Sequence, residues 1–133
     1  MQDPKPTGGL IYVVDDDVNI RKALTIILRK ERHQVLEFAS GDELRQQLQL
    51  KKPDIIFLDV MMPPESGFDI CADLRSQAST ARVTVFLVTA RGMKQDVNKG
   101  FAVGADEYVL KPFFTKDVLQ LVEKYIQKKT AVV

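Results

Sequence analysis

Apolar and polar residues along the chain follow two alternating patterns. Short, nearly unbroken apolar runs have the length and composition of strands that are buried on both faces. Between these runs, apolar residues recur every three or four positions, as they do along one side of a helix. The runs predict strands at about residues 10–14, 34–38, 54–59, 84–89 and 107–110. The periodic stretches predict helices at about residues 18–32, 41–50, 94–103 and 115–128, and Phe68, Cys71 and Ala72 mark another helix between the third and fourth strands.

This order of elements predicts an α/β fold. Strand and helix alternate five times, which is typical of a parallel sheet covered by helices on both faces and joined by right-handed crossovers. The run at residues 34–38 mixes polar and apolar side chains, as an edge strand does. We predict one domain over residues 10–129, a flexible lead-in over residues 1–9, and a tail or the start of a linker over residues 130–133.

Composition narrows the class of protein. With 133 residues, 45% of them hydrophobic and 28% charged, the chain suits one globular domain with one ordinary core. The net charge of +1 provides no overall field that would favour nucleic acid or an anionic membrane. No apolar run has the length of a membrane span, and the first residues lack the apolar stretch of a signal peptide. The single cysteine excludes an internal disulfide, so we expect a reducing, cytoplasmic location.

Charged and polar residues stand at the carboxyl ends of the predicted strands. Asp15 and Asp16 follow the first strand, Asp59 ends the third, Thr89 ends the fourth, and Lys111 follows the fifth. Because parallel strands end at the same edge of the sheet, these side chains are expected to converge where open α/β sheets bind ligands. Converging carboxylates raise one another's pKa values unless a cation lies between them, and oxygen ligands suit Mg²⁺. The edge therefore predicts a pocket for a tetrahedral dianion beside a metal, with an aspartate as a candidate phosphoryl acceptor.

Four motifs at these strand ends resemble the receiver domain of two-component response regulators. They are Val13-Val14-Asp15-Asp16, Asp59-Val60-Met61-Met62-Pro63 followed by Gly67, Thr89-Ala90, and the run from Gly104 to Phe113. Each motif alone is weak, but four in order are specific, and the likeness covers nearly the whole chain. It implies a flavodoxin-like (βα)5 doubly wound parallel sheet with strand order 2-1-3-4-5.

The resemblance implies a role for each matching residue. Asp59 would accept a phosphoryl group from a phosphohistidine, and Lys111 and Thr89 would contact the phosphoryl oxygens. The cofactor would be Mg²⁺, for which Mn²⁺ could substitute. Its protein ligands would be the carboxylates of Asp16 and Asp59, the backbone carbonyl of Met61, and Asp15, which would act directly or through water.

The same resemblance implies a switch and a set of partners. Thr89 would move toward the phosphoryl group and leave space for the ring of Tyr108, which would remodel the face made by the fourth helix, fifth strand and fifth helix. Ala90 would keep the approach to the acceptor open, and the bond before Pro112 would be cis. The partners would be a histidine kinase or phosphotransfer protein, a downstream protein or fused output domain, and a second copy of the chain through the remodelled face. Direct nucleic-acid or membrane binding by this domain is not expected.

Three other functions compete with this one. A phosphatase or phosphotransferase on the same fold would place a second acid two residues after its nucleophile, and that position is Met61. A phosphorylation-independent interaction domain would not need the complete set of acids, threonine and lysine. A flavin-binding flavodoxin would need a phosphate cradle after the first strand, where this chain is acidic. We therefore expect a signalling domain without turnover of external substrates.

Several residues have simpler explanations. Asp17 matches no essential position of the family and is predicted to cap the first helix. His33 is predicted to lie at the surface or at the end of that helix, and Cys71 to pack as a small apolar residue. Without the motifs, Thr89 would be an ordinary β-branched strand residue and Tyr108 an ordinary half-buried aromatic.

Overall fold

The computed structural model describes residues 8–131, with side chains described through Gln127. Five strands alternate with five helices, as the sequence pattern predicts. The strands are β1 Leu10–Val14, β2 Gln34–Phe38, β3 Ile55–Asp59, β4 Thr84–Thr89 and β5 Glu107–Leu110. The helices are α1 Val18–Lys30, α2 Gly41–Leu50, α3 Gly67–Ser76, α4 Lys94–Ala102 and α5 Thr115–Ala131.

The strands form one parallel sheet in the order β2-β1-β3-β4-β5. This confirms the flavodoxin-like doubly wound fold with strand order 2-1-3-4-5. The direction of crossover reverses beside β1 and β3, so their carboxyl ends open the crevice in which such sheets bind ligands. Strand β2 lies at an edge, as its mixed composition predicts.

Side chains on the two faces of the sheet form two apolar clusters. One cluster joins the sheet to α2 and α3 and includes Ile56 and Leu58. The other joins it to α1 and α5 and includes Phe57 and Phe86, whose rings meet edge to face at 5.2 Å between centroids. Successive strand residues point to opposite faces, and both faces are covered by apolar clusters, so β3 is buried along its whole length, including its last residue.

The chain between α1 and β2 differs from the prediction. Helix α1 ends at Lys30 rather than near Arg32, because Arg32 adopts a left-handed backbone conformation with φ of 68°. His33 is buried with 6% exposure, and its Nδ1 accepts a hydrogen bond from the backbone N–H of Gly9 at 3.0 Å. The prediction of a surface or helix-ending histidine was therefore wrong.

The two ends of the chain also refine the predicted boundaries. Gly8 donates a backbone hydrogen bond to the carbonyl of Arg32, and Gly9 is buried, so these two residues belong to the fold rather than to a flexible lead-in. The rest of the predicted lead-in lies outside the described residues. Helix α5 continues to Ala131, two residues into the predicted tail, and the remainder of that tail is also outside the described range. Over residues 8–131, no helix has both the length and the hydropathy that a membrane span requires.

Candidate functional site

The carboxyl edge of the sheet brings together the residues that the sequence singled out. Asp15 follows β1, and its backbone N–H bonds to the carbonyl of Phe38 in β2 at 3.1 Å. Asp59 is the last residue of β3 and stands opposite Val88 of β4. Lys111 follows β5, and its backbone N–H bonds to the carbonyl of Thr89 at 2.9 Å. Strand pairing therefore fixes the backbone from which each polar side chain projects.

Lys111 lies between two buried carboxylates. Its Nζ is 3.1 Å from Oδ2 of Asp15 and 3.2 Å from Oδ1 of Asp59. Asp15 is 2% exposed and Asp59 is 4% exposed, so these ion pairs are shielded from water. Burial opposes the charge on Lys111, but the two ion pairs outweigh burial and raise the lysine pKa above its usual value. Lys111 therefore stays positively charged beside Asp59, the candidate phosphoryl acceptor.

The three predicted metal-binding carboxylates form one cluster. Asp15, Asp16 and Asp59 each offer an oxygen within 4.8 Å of the other two. Asp16 is exposed, so water can complete the coordination on that side. An all-oxygen set of this charge, open to solvent on one side, fits a hard divalent cation such as Mg²⁺, which keeps several of its waters.

The surroundings of Asp59 oppose the negative charge on its carboxylate. Burial, and then the charge of Asp15, raise the pKa of Asp59 from 3.8 to about 6, although Lys111 and the backbone N–H of Met61 act in the opposite direction. The carboxylate remains mostly ionised at neutral pH, as a nucleophile must be. Its ionisation nevertheless costs free energy, because burial and the charge of Asp15 both oppose a negative charge on Asp59.

Asp59→Asn is expected to stabilise the metal-free protein near neutral pH by about 2 kcal/mol. A carboxyl group whose pKa is raised on folding favours the folded state only while it is protonated. The stability of the wild type should therefore fall as pH rises from about 4 through the raised pKa of about 6, and the amide variant should avoid this loss. Urea unfolding in the presence of chelator, followed across this pH range, measures the difference.

The exposed Asp69 of α3 supplies a control for that measurement. Asp69→Asn should stay within about 0.5 kcal/mol of the wild type at every pH. If the Asp59 variant shows the same flat difference, the burial of the Asp59 charge has no energetic consequence and the electrostatic account is wrong.

Thr89 and Tyr108 are linked through the segment after β4. Thr89 is fully buried, and its Oγ1 accepts a hydrogen bond from the backbone N–H of Arg91 at 3.1 Å. The hydroxyl of Tyr108 donates to the backbone carbonyl of the same Arg91 at 2.7 Å. The ring of Tyr108 lies against Gly100 of α4, where an added Cβ would come within 2.6 Å of the ring. The backbone of Arg91 thus connects Thr89 and Tyr108, the two predicted switch residues.

The structure also places the remaining residues that the sequence singled out. Ala90, directly after β4, is exposed. The Lys111–Pro112 bond is cis, as the resemblance implies. Asp17 caps α1 by accepting from the backbone N–H of Asn19 at 2.9 Å, and Cys71 is completely buried, both as predicted.

Arg91 is a pocket residue that the sequence did not reveal. Its guanidinium binds the buried Asp96 of α4 at 2.8 Å and contacts Sδ of Met61 at 3.7 Å. Its side chain therefore connects the loop that follows β3 with α4. No periodicity marks such a residue, because one partner lies in α4 and the other in a separate loop.

Comparison with known proteins agrees with this geometry. The family model of the response regulator receiver domain matches residues 11–123. This chain belongs to that family. The transcriptional regulatory protein PhoB of the phosphate regulon of Rhizobium meliloti is 36% identical to the receiver over 118 residues, which are 89% of this chain and 52% of PhoB. The receiver spans about half the length of the curated relatives it matches.

Solved receiver structures have the same architecture. The chemotaxis response regulator CheY4 of Vibrio cholerae has a TM-score of 0.83 and 27% identity, with 90% of this chain and 99% of that chain covered. The BeF3-activated DrrB receiver domain has a TM-score of 0.82 and 32% identity, with coverage of 91% and 99%. This receiver therefore shares both fold and family with signalling domains.

Proposed function

We propose that this receiver domain accepts a phosphoryl group on Asp59 from the phosphohistidine of a histidine kinase or phosphotransfer protein, in a reaction that requires Mg²⁺. The observation that carries the proposal is the position of Lys111 between Asp15 and Asp59 at the open edge of the sheet. A nucleophilic carboxylate, a fixed cation and a second acid are the groups that phosphoryl transfer to aspartate needs.

The proposed binding site for Mg²⁺ is the cluster of three aspartates. Asp15, Asp16 and Asp59 would hold Mg²⁺ through carboxylate oxygens, with the backbone carbonyl of Met61 as a further ligand. When bound, Mg²⁺ would neutralise charge on the acid cluster and on the phosphoryl oxygens. Mn²⁺ could take its place, since both ions accept oxygen ligands in similar geometry.

The side chains of the receiver position the reacting groups. A carboxylate oxygen of Asp59 attacks phosphorus, the bond from phosphorus to the imidazole nitrogen breaks, and the imidazole keeps the electron pair and is reprotonated from solvent. Lys111 pairs with one phosphoryl oxygen, because its ammonium already lies 3.2 Å from the Asp59 carboxylate. Thr89 can donate its hydroxyl proton to another, since its oxygen accepts from Arg91 and keeps that proton. Charge neutralisation and positioning are the main contributions of a protein to this reaction.

Movement of Thr89 would reach the surface through Arg91 and Tyr108. A Thr89 hydroxyl that turns toward a phosphoryl oxygen releases the Arg91 backbone, to which Tyr108 is also bonded. Because the Tyr108 ring packs on Gly100, its movement would change α4 and the face that α4 forms with β5 and α5. This face would then bind a downstream protein, a fused output domain or a second copy of the receiver.

The decisive experiment is intact-mass analysis after incubation with acetyl phosphate. We expect one phosphoryl adduct in the presence of Mg²⁺, and none with chelator or in the Asp59→Asn variant. Beryllofluoride, which imitates the phosphoryl group, should shift amide resonances of α4, β5 and α5 in the same protein. Asp69→Asn, which changes an exposed acid of α3, is the matched control and should form the adduct like the wild type.

Two results would contradict the proposal. An adduct that persists in Asp59→Asn would place the acceptor elsewhere. If neither acetyl phosphate nor beryllofluoride perturbs the wild type, the domain is a receiver in fold only, and a phosphorylation-independent interaction domain becomes the better explanation. Resonance changes confined to regions outside α4, β5 and α5 would contradict the switch and leave the acceptor role intact.

A further inference from the structure

The loop between β3 and α3, residues 60–66, connects the acceptor to the helical layer. The backbone N–H of Gly67 bonds to the carbonyl of Val60 at 2.9 Å and closes the base of the loop. The backbone N–H of Met61, at the start of the loop, lies close enough to the Asp59 carboxylate to lower the pKa of that carboxyl group. The position of this loop therefore decides where a backbone group of Met61 meets the acid cluster.

A single arginine of α2 holds the far side of the same loop. Arg45 binds Glu65 through two parallel hydrogen bonds, from Nη1 to Oε1 at 2.8 Å and from Nη2 to Oε2 at 2.6 Å. Its Nε also binds Oδ2 of Asp73 in α3 at 3.0 Å. Glu65 is the only charged residue of the loop. We refer to the two-bonded pair of Arg45 and Glu65 as the clasp.

The surroundings of the clasp favour a defined geometry. The guanidinium of Arg45 holds the pKa of Glu65 below its usual value, so the pair stays charged at neutral pH. Gly41 leaves room for it, because an added Cβ there would lie 3.0 Å from Oε1 of Glu65 and 3.1 Å from Nη1 of Arg45. The arginine side chain is only 28% exposed. Two-bonded arginine–carboxylate pairs fix orientation as well as distance, unlike mobile single-contact surface pairs.

We propose that Arg45 and Glu65 are positioning residues for the metal and acceptor site, because the clasp holds the loop that presents the Met61 backbone to Asp59. This inference rests on the proposed function of the acid cluster. Neither residue touches the reacting atoms, and both act through the backbone of residues 61–65. The Pro64-Glu65-Ser66 segment thereby helps to position the site.

The main rival explanation is a simple effect of charge at a distance, and it predicts different signs. Loss of the Arg45 charge would strengthen Mg²⁺ binding through the field alone, whereas loss of the Glu65 charge would weaken it. Loss of the Asp73 charge would also weaken binding through the field. Positioning by the clasp predicts weaker binding in Arg45→Met and in Glu65→Gln, and no change in Asp73→Asn, which leaves the two bonds to the loop in place.

The test is a magnetic-resonance titration of the four proteins with Mg²⁺, with amide hydrogen exchange measured in the metal-free state. We expect the dissociation constant of Mg²⁺ to rise about tenfold in Arg45→Met and Glu65→Gln, the order of effect seen when outer partners of metal ligands are removed. The amide of Met61 should exchange faster in the same two variants without metal. Asp73→Asn should match the wild type in both readouts.

Each other outcome overturns a stated part of the scheme. Opposite changes in Arg45→Met and Glu65→Gln, or weaker binding in Asp73→Asn, would replace positioning by a field effect. Unchanged binding and unchanged Met61 exchange would reduce the clasp to a surface ion pair. If the wild type itself binds no Mg²⁺, the proposed function fails, whereas the Met61 exchange rates still decide whether the clasp holds the loop.

Discussion

Replacing Lys111 with methionine is expected to lower the free energy of unfolding of the metal-free receiver by about 3 kcal/mol near neutral pH. Lys111 is the cation between Asp15 and Asp59, whose side chains are 3% and 5% exposed. Methionine keeps most of the apolar stem, so the main loss is the charge. Two buried carboxylates would then face each other without a partner, which is the costly way to break a buried ion pair.

The electrostatic origin of this loss can be separated from packing. The deficit should shrink as pH falls toward about 5, because the raised pKa of Asp59 rises further without Lys111 and the carboxyl group becomes protonated. Mg²⁺ should also reduce the deficit, since a divalent cation can replace the missing charge. Urea unfolding with and without Mg²⁺ measures both effects, and the exposed Lys116 supplies the control variant Lys116→Met. A deficit that is the same at both pH values would mean that the lysine stem, not its charge, is what matters.

The sequence predicted the sheet and its chemical edge because both depend on local, regular signals. The apolar runs at residues 55–58 and 84–89 can be buried only as central strands, and polar residues directly after such strands must share an edge. Asp59 and Lys111 are far apart in the chain, yet the topology alone brings them together. The family motifs then predicted roles for these residues that no pattern of polarity could predict.

Side-chain pairs between irregular segments could not be predicted in this way. The clasp joins α2 to a loop twenty residues later, and neither Arg45 nor Glu65 interrupts a periodic pattern. The sequence predicted His33 at the surface or at the end of α1, but its partner is Gly9, twenty-four residues earlier in the chain. The end of α1 was misplaced because the left-handed residue is Arg32, where glycine or asparagine would have given a signal. These features depend on how loops meet after the sheet has formed.

Replacing Gly67 with alanine is expected to destabilise the receiver by about 2–3 kcal/mol and to slow phosphorylation of Asp59. Gly67 begins α3 directly behind Asp59, the proposed acceptor. A Cβ at this position would clash with the carbonyl oxygen of Asp59 and lie 2.9 Å from both the Asp59 carbonyl carbon and the Val60 Cα. All three atoms belong to the backbone, so no side chain can move aside, and either the end of β3 or the start of α3 must shift.

The expected slowing of phosphorylation follows from the same contact between an added Cβ at Gly67 and the Asp59 backbone. A shift of the Asp59 backbone by a fraction of an ångström moves the proposed nucleophile relative to Lys111, and misplacement of about 1 Å can cost about a hundredfold in rate. Phosphorylation by acetyl phosphate should be followed at a temperature where circular dichroism shows the variant folded, and stability by urea unfolding. Gly92 is the matched control, because a Cβ there would meet only the Leu110 side chain at an ordinary 3.4 Å. If Gly67→Ala behaves like Gly92→Ala in both measurements, α3 is not held rigidly against the acceptor strand, and the precise placement of Asp59 has another origin.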